Sequence, residues 1–241
     1  MMKSIKTIVF QLVMALAVTA SMINVSLAGA KDDPVLTMLQ FDKLEMQGGE
    51  SENPLVLEGQ GWIGQDLNKF WLKTEIERED GKTEEAELQA LYSKGVSPFW
   101  DFQVGIRRDF QPTPGLNWAV IGLQGLAPYF FEVDTALFIG ESGRTALRVE
   151  AAYELLFTQR LILTPEIEVN LYGKNDEELG IGSGLSDIET GLRLRYEIRR
   201  EFAPYIGVSW SKSFGNTANF AREDGEGTND IQWVIGIRTW F

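Results

Sequence analysis

Residues 230–241, DIQWVIGIRTWF, alternate side chain by side chain and end on an aromatic. Successive side chains of an extended strand point to opposite faces. Ile231, Trp233, Ile235, Ile237 and Phe241 therefore share one face, and Gln232, Gly236 and Arg238 the other. A soluble sandwich uses such strands too, but here the alternation repeats along the chain in stretches long enough to cross a bilayer. The reading is all-β: a closed antiparallel transmembrane up-and-down β-barrel of about twelve strands. Bacterial barrels of the outer membrane commonly close on a C-terminal aromatic strand of this kind.

Working back from that strand, the pattern predicts strands at 38–47, 54–64, 69–79, 84–95, 99–109, 117–126, 129–139, 145–157, 161–173, 187–200, 202–213 and 230–241. Most reach the roughly ten residues that a tilted membrane-spanning strand needs. After the first connection, short and longer links alternate: 65–68 then 80–83, 96–98 then 110–116, 127–128 then 140–144, 158–160 then 174–186, 201 then 214–229. Barrels with both termini in the periplasm have short turns there and longer loops outside.

The two faces differ in kind. Trp100, Phe102, Val104 and Ile106 oppose Asp101, Gln103 and Arg107, and Leu147, Val149, Tyr153, Leu155 and Phe157 oppose Arg148, Glu150 and Glu154. In RLRYEIRR, Arg193, Arg195, Glu197 and Arg199 fall on one side. In a soluble sandwich or barrel, secreted or periplasmic, the charged face meets water. In a membrane barrel the faces swap and the charges line the lumen. Strand length, the leader described next and the aromatic terminus favour the swap. Opposite charges facing across strands would then knit the lumen together.

Lys3 and Lys6 precede an apolar run from Ile8 to Ala20, with small residues following at Ser26, Ala28 and Ala30. This is the pattern of a secretory signal peptide, residues 1–28, with cleavage after Ala28 or Ala30. It leaves a short periplasmic N-terminal segment, 29–37, and the barrel, 38–241. The expected address is the outer membrane of a Gram-negative cell after Sec-type export, facing lipid and lipopolysaccharide. No other stretch is apolar enough for a spanning helix, so any crossing is by strands.

Composition removes several functions. A net charge of −13 argues against nucleic-acid binding. The chain has no cysteine and no histidine, so thiolate sites, Ser-His dyads and imidazole metal sites cannot be built. Outer-membrane hydrolysis by a His base is excluded with them, and no pattern for an organic cofactor is present; the chain reads as non-enzymatic. The acidic loops KNDEELGIGSGLSD (174–187) and NFAREDGEGTND (219–230) lack EF-hand spacing and read as solvated or lipopolysaccharide-facing. Met38 and Met46 are the soft ligands outside the leader. On one extended strand they lie about 26 Å apart at ~3.3 Å per residue, too far to share an ion. Glu166 and Glu168, spaced i, i+2, share a face and could serve as hard-cation ligands.

The segments GWIGQD (61–66), FWLKTEIERE (70–79), EEAELQALYSKGVSPFWDFQVGIRRDF (84–110), 125–173, 182–210 and the terminal IRTWF resemble, in collinear order, the copper-resistance protein B family of outer-membrane proteins. The resemblance implies an outer-membrane barrel that binds or exports copper beside periplasmic copper-resistance proteins such as a multicopper oxidase. Members commonly carry a Met- and His-rich stretch before the barrel, where this sequence has KDDPVLTMLQFDKLEM (31–46). Copper ions on this chain would therefore be Cu(II) on oxygen, from Glu75, Glu77, Asp134, Glu166 and Glu168, with Met38 and Met46 the only thioethers. The competing reading is a passive, cation-favouring pore or structural barrel without a copper site.

Overall fold

The computed structural model describes residues 33–49 and 53–241. The proposed leader and its cleavage site lie outside the described residues. The strands are β1 (Leu36–Gly48), β2 (Leu55–Gly64), β3 (Asn68–Glu79), β4 (Lys82–Ser97), β5 (Trp100–Gln111), β6 (Asn117–Ala127) and β7 (Phe131–Gly140). They continue with β8 (Thr145–Ala152), β9 (Leu155–Leu156), β10 (Leu161–Tyr172), β11 (Gly184–Tyr196), β12 (Phe202–Ser213) and β13 (Asn229–Trp240). Each pairs antiparallel with its sequence neighbours, β8 and β9 both lying along β10. The ring closes where β13 pairs β1 as well as β12: Ile235 faces Met46 on one side and Ile206 on the other. Closure leaves no edge strand, the condition for a sheet to sit in lipid.

Strands β8 and β9 are one traverse of the wall, so the barrel has twelve. The break, at 153–154, comes from the neighbour. Tyr153 donates its N–H to the carbonyl of Pro165 at 3.1 Å, but Pro165 has no N–H to return. Pairing resumes two residues on, with Leu155 opposite Leu163.

The alternation has the inside-out sense of a membrane barrel. Along β5, Ile106 is 65% exposed while Gln103 is 1% exposed; along β13, Trp233 and Ile235 are 72% and 62% exposed and Val234 between them 3%. The apolar face looks outward and the ionic face inward.

Three local features depart from the sequence reading. Asp42 is an extra residue in β1, a bulge against both neighbouring strands. It reverses the strand's parity, so Met38 and Gln40 face in before it and Lys43 and Glu45 after it. The link 80–81 is a two-residue hairpin, as tight as the turns at the other end, because Asp80 and Gly81 both take positive φ, as such hairpins require. Residues Gly215–Asp224 of the last loop form a helix, α1. In addition, β11 stops at Tyr196, and Arg199 pairs with Phe202 in the turn rather than lining the lumen.

A cation in the middle of the lipid face has no partner. Ile235→Arg is expected to cost about 2–4 kcal/mol, read as a lowered denaturant midpoint for the barrel refolded into lipid vesicles.

Candidate functional site

Because inward side chains occupy every second position and the registers are fixed, ionisable groups on neighbouring strands come level in rows. Lys43, Glu58, Glu75, Glu87 and Asp109 are consecutive cross-strand partners over β1 to β5. On the other side of the ring, Asp134, Glu150, Glu168 and Glu189 are consecutive partners over β7, β8, β10 and β11. Each arc thus holds four carboxylates in a row. Like charges directly opposite one another destabilise a sheet, so cations must pair with them.

Some stand in the arcs themselves, as Lys43 does beside Glu58 at 2.8 Å, and others come from across the lumen. Arg148 on β8 places Nη1 3.4 Å from Glu75 and Nη2 3.2 Å from Glu87, while its Nε lies 3.4 Å from Glu168. One guanidinium thereby joins both arcs. Arg107 approaches Glu87 at 2.7 Å and Asp109 at 2.6 Å, and Trp118 Nε1 donates to the second oxygen of Asp109 at 2.7 Å. Arg107 and Arg148 both lie over the ring of Phe138, at 4.7 and 5.8 Å from its centroid. Lys73 on β3 pairs with Asp134 on β7.

A second knot ties the closing strands. Buried Glu45 accepts from Arg193 Nε at 2.9 Å, Arg193 Nη2 at 2.8 Å and the Tyr205 hydroxyl at 2.9 Å. Arg193 also pairs with Glu166, which Lys43 approaches at 3.5 Å. Nearer the end that holds the termini, Glu154 receives Arg195 at 2.6 Å and Arg238 at 3.2 Å.

Between these struts lies a cavity of about 470 Å³. Eleven carboxylates and six cationic side chains line it. The closed wall and acid excess focus field on cations and raise their local concentration.

The structure separates the residues singled out from sequence. Glu75 is brought together with Glu85 and Glu87: one oxygen of each lies within 4.8 Å of the others, the group among the described residues with a metal-ligating arrangement. Glu77 is the register partner of Glu85, one step toward the loops. Asp134 and Glu168 belong to the second arc, and Glu166 is engaged by Arg193 and Lys43. Met38 packs inside against the cluster of Trp71, Leu91 and Trp118, whereas Met46 lies outside and is 59% exposed. The bulge at Asp42 puts the two thioethers on opposite faces of the wall, so they form no common site. Glu58 belongs to this constellation but was outside the sequence-derived set, as were Glu85, Glu87, Glu150 and Glu189, which alternation marks as inward without singling them out as ligands. Level pairing is invisible until registers are known.

Residues 35–241 match the family model described as copper resistance protein B precursor (CopB). The chain belongs to the copper resistance protein B family. A copper resistance protein B homolog of Pseudomonas syringae pv. tomato is 49% identical over 210 residues, covering 87% of this chain and 71% of the relative. Copper resistance protein B of Escherichia coli is 46% identical with the same coverage. Among solved structures, NanC porin superposes with a TM-score of 0.57 at 11% identity, covering 85% of this chain and 99% of the porin. KdgM porin gives 0.53 at 14%, again covering 85% and 99%. The porins share the fold of this family member. The outer membrane is the setting that fits both comparisons.

Glu45 tests the importance of the closing knot. Removing Arg193 leaves that carboxylate buried without its cation, so Arg193→Leu is expected to cost about 3–5 kcal/mol. Glu45→Gln with Arg193→Met should recover most of the loss, as read from equilibrium unfolding.

Proposed function

We propose that the barrel is a non-enzymatic component of copper resistance, binding Cu(II) as cargo on its lumen carboxylates and passing it across the outer membrane. The carrying observation is the pair of facing four-carboxylate arcs, which family membership connects to copper. With no histidine or cysteine and with Met38 and Met46 on opposite faces, the lumen presents oxygen donors. That donor set suits Cu(II) rather than Cu(I), and for a given oxygen site Cu²⁺ outranks the other first-row divalent ions. Charge-lined constrictions conduct when binding is strong enough to admit an ion and weak enough to release it. Oxygen ligands already shared with Arg148 and Arg107 meet that condition better than a closed cage would.

On this reading the termini face the periplasm, the leader directs Sec-type export, and copper arrives from periplasmic resistance proteins such as a multicopper oxidase. Glu75 with Glu85 and Glu87, and Glu150 with Asp134 and Glu168, are the proposed contact groups; Glu77 and Glu166 flank them. A second reading is a passive cation-favouring pore, supported by the excess of carboxylates in the lining, which attracts any cation.

The two readings part in one experiment. Calorimetric titration of the detergent-refolded barrel is expected to show Cu(II) binding in preference to Zn²⁺. Glu75→Gln combined with Glu150→Gln should weaken it by roughly tenfold, the equivalent of ~1.4 kcal/mol. No copper binding, with equal bilayer conductance for Na⁺, K⁺ and Cu²⁺ and unchanged copper tolerance on deletion, would sink the copper reading and leave the pore.

A further inference from the structure

The outward face of the wall carries charge of one sign. At the alternating outward positions of the strands the charged residues are Arg78 on β3, Lys94 on β4, Arg108 on β5 and Lys212 on β12. Among the described residues no carboxylate stands at such a position; Glu84, near the β3–β4 hairpin, is the extra residue of a bulge. Yet the chain as a whole has a net charge of −13. Acids on a lipid face cost less than Arg or Lys at the same depth, so the cost of placing a charge there does not select cations. An anionic surrounding does.

Height along the wall sorts these cations. Lys94, level with Asn68, lies at the end that holds the termini. Arg78, Arg108 and Lys212 lie at the other end, each close to where its strand runs into a loop. Arg78 and Arg108 flank β4, and Lys212 stands farther round the ring. Their neighbours face lipid: Leu55, the register partner of Arg78, is 49% exposed, and Ile106 and Phe110, on either side of Arg108, are 65% and 55% exposed. The three cations therefore border the apolar face at the loop end. The protein leaves their charge unanswered. Arg78 donates Nη2 to the Gly81 carbonyl at 2.9 Å while its Nε has no acceptor. Arg108 donates Nη1 to Asn117 Oδ1 at 2.7 Å, and Asn117 in turn donates to Glu141 at 3.0 Å. Lys212 Nζ lies 5.3 Å from the ring centroid of Phe214. Among the described residues no carboxylate forms an ion pair with any of the three.

We propose that Arg78 and Arg108, with Lys212 extending the border, bind the phosphates of lipopolysaccharide in the outer leaflet. A guanidinium presents a planar fork that matches phosphate oxygens. The site lies where the apolar face ends, the depth at which acyl chains give way to a phosphorylated headgroup. Chains packed on Leu55, Ile106 and Phe110 would bring that headgroup to the arginines, so the contact continues the lipid-facing surface. The outer-leaflet address rests on the orientation proposed above, with the termini toward the periplasm. Copper plays no part in it.

Native mass spectrometry of the detergent-refolded barrel, titrated with bis-phosphorylated lipid A in the presence of a chelator, tests the site with no metal bound. Detergent also removes orientation from the measurement, so the site is read whichever way the barrel sits in a membrane. Each variant is first shown to be folded by its heat-modifiable gel mobility. The unmodified barrel should retain lipid A. Arg78→Gln and Arg108→Gln should each weaken binding about five-fold, the size expected for one basic residue beside an anionic lipid surface. The triple variant with Lys212→Gln should retain almost none, and Lys94→Gln, at the opposite end, should bind like the unmodified chain. Equal binding of dephosphorylated lipid A would overturn the proposal, as would folded arginine variants that bind normally or a Lys94→Gln loss as large as theirs. Equal retention of phosphatidylglycerol would overturn lipopolysaccharide as the ligand. Failure here would leave the copper reading untouched, since calorimetry reads that separately.

Discussion

Closing twelve antiparallel traverses in lipid satisfies every ladder without an edge, and it forces the ionic half of each strand into one enclosed space. The rest of the architecture follows from that constraint. Period-two alternation obliges every second residue to face inward, and the registers align glutamates from adjacent strands. Two arcs of carboxylates are the result. They are tolerable because arginines and lysines, some on the same strands and some reaching across from the far wall, pair with them. Arg148 matters most in this respect, since it touches Glu75, Glu87 and Glu168 at once.

The struts also decide what the lumen is. A wide porin holds water along its axis, whereas here Arg107 and Arg148 meet over Phe138, and Arg193 with Tyr205 encloses Glu45. The inside is a network of ion pairs around a cavity of about 470 Å³. Such a core is costly when half satisfied and specific when fully satisfied. The surplus of acids over cations in the lining is what remains available to a cationic cargo.

The likeness to porins at 11–14% identity extends to the fold and no further. What the structure adds is the content of the lumen. A fold of this kind is a wall; its function resides in the side chains that the wall presents inward. The two carboxylate arcs and the arginines that bridge them are the features of that interior.

Most of the wall was legible in the sequence. All twelve traverses lie where alternation placed them, and the exposed Trp233 and Ile235 stand on the face read as lipid-facing. The weak points were local. Nothing in LTMLQFDKLEM marks Asp42 as a bulge, because a single extra residue leaves composition unchanged while reversing parity; Glu45 therefore escaped notice. Pro165 was visible but its effect falls on another strand. Helix α1 lies in a loop whose own pattern is weak and takes its shape partly from contacts with Gly182 and Ser186. Outside β1 and the end of β11, sequence determined which residues of the candidate site face the lumen, because parity is a property of one strand. Which carboxylates stand level and which cations meet them were decided only by tertiary structure, because register and closure are relations between strands that no single strand encodes.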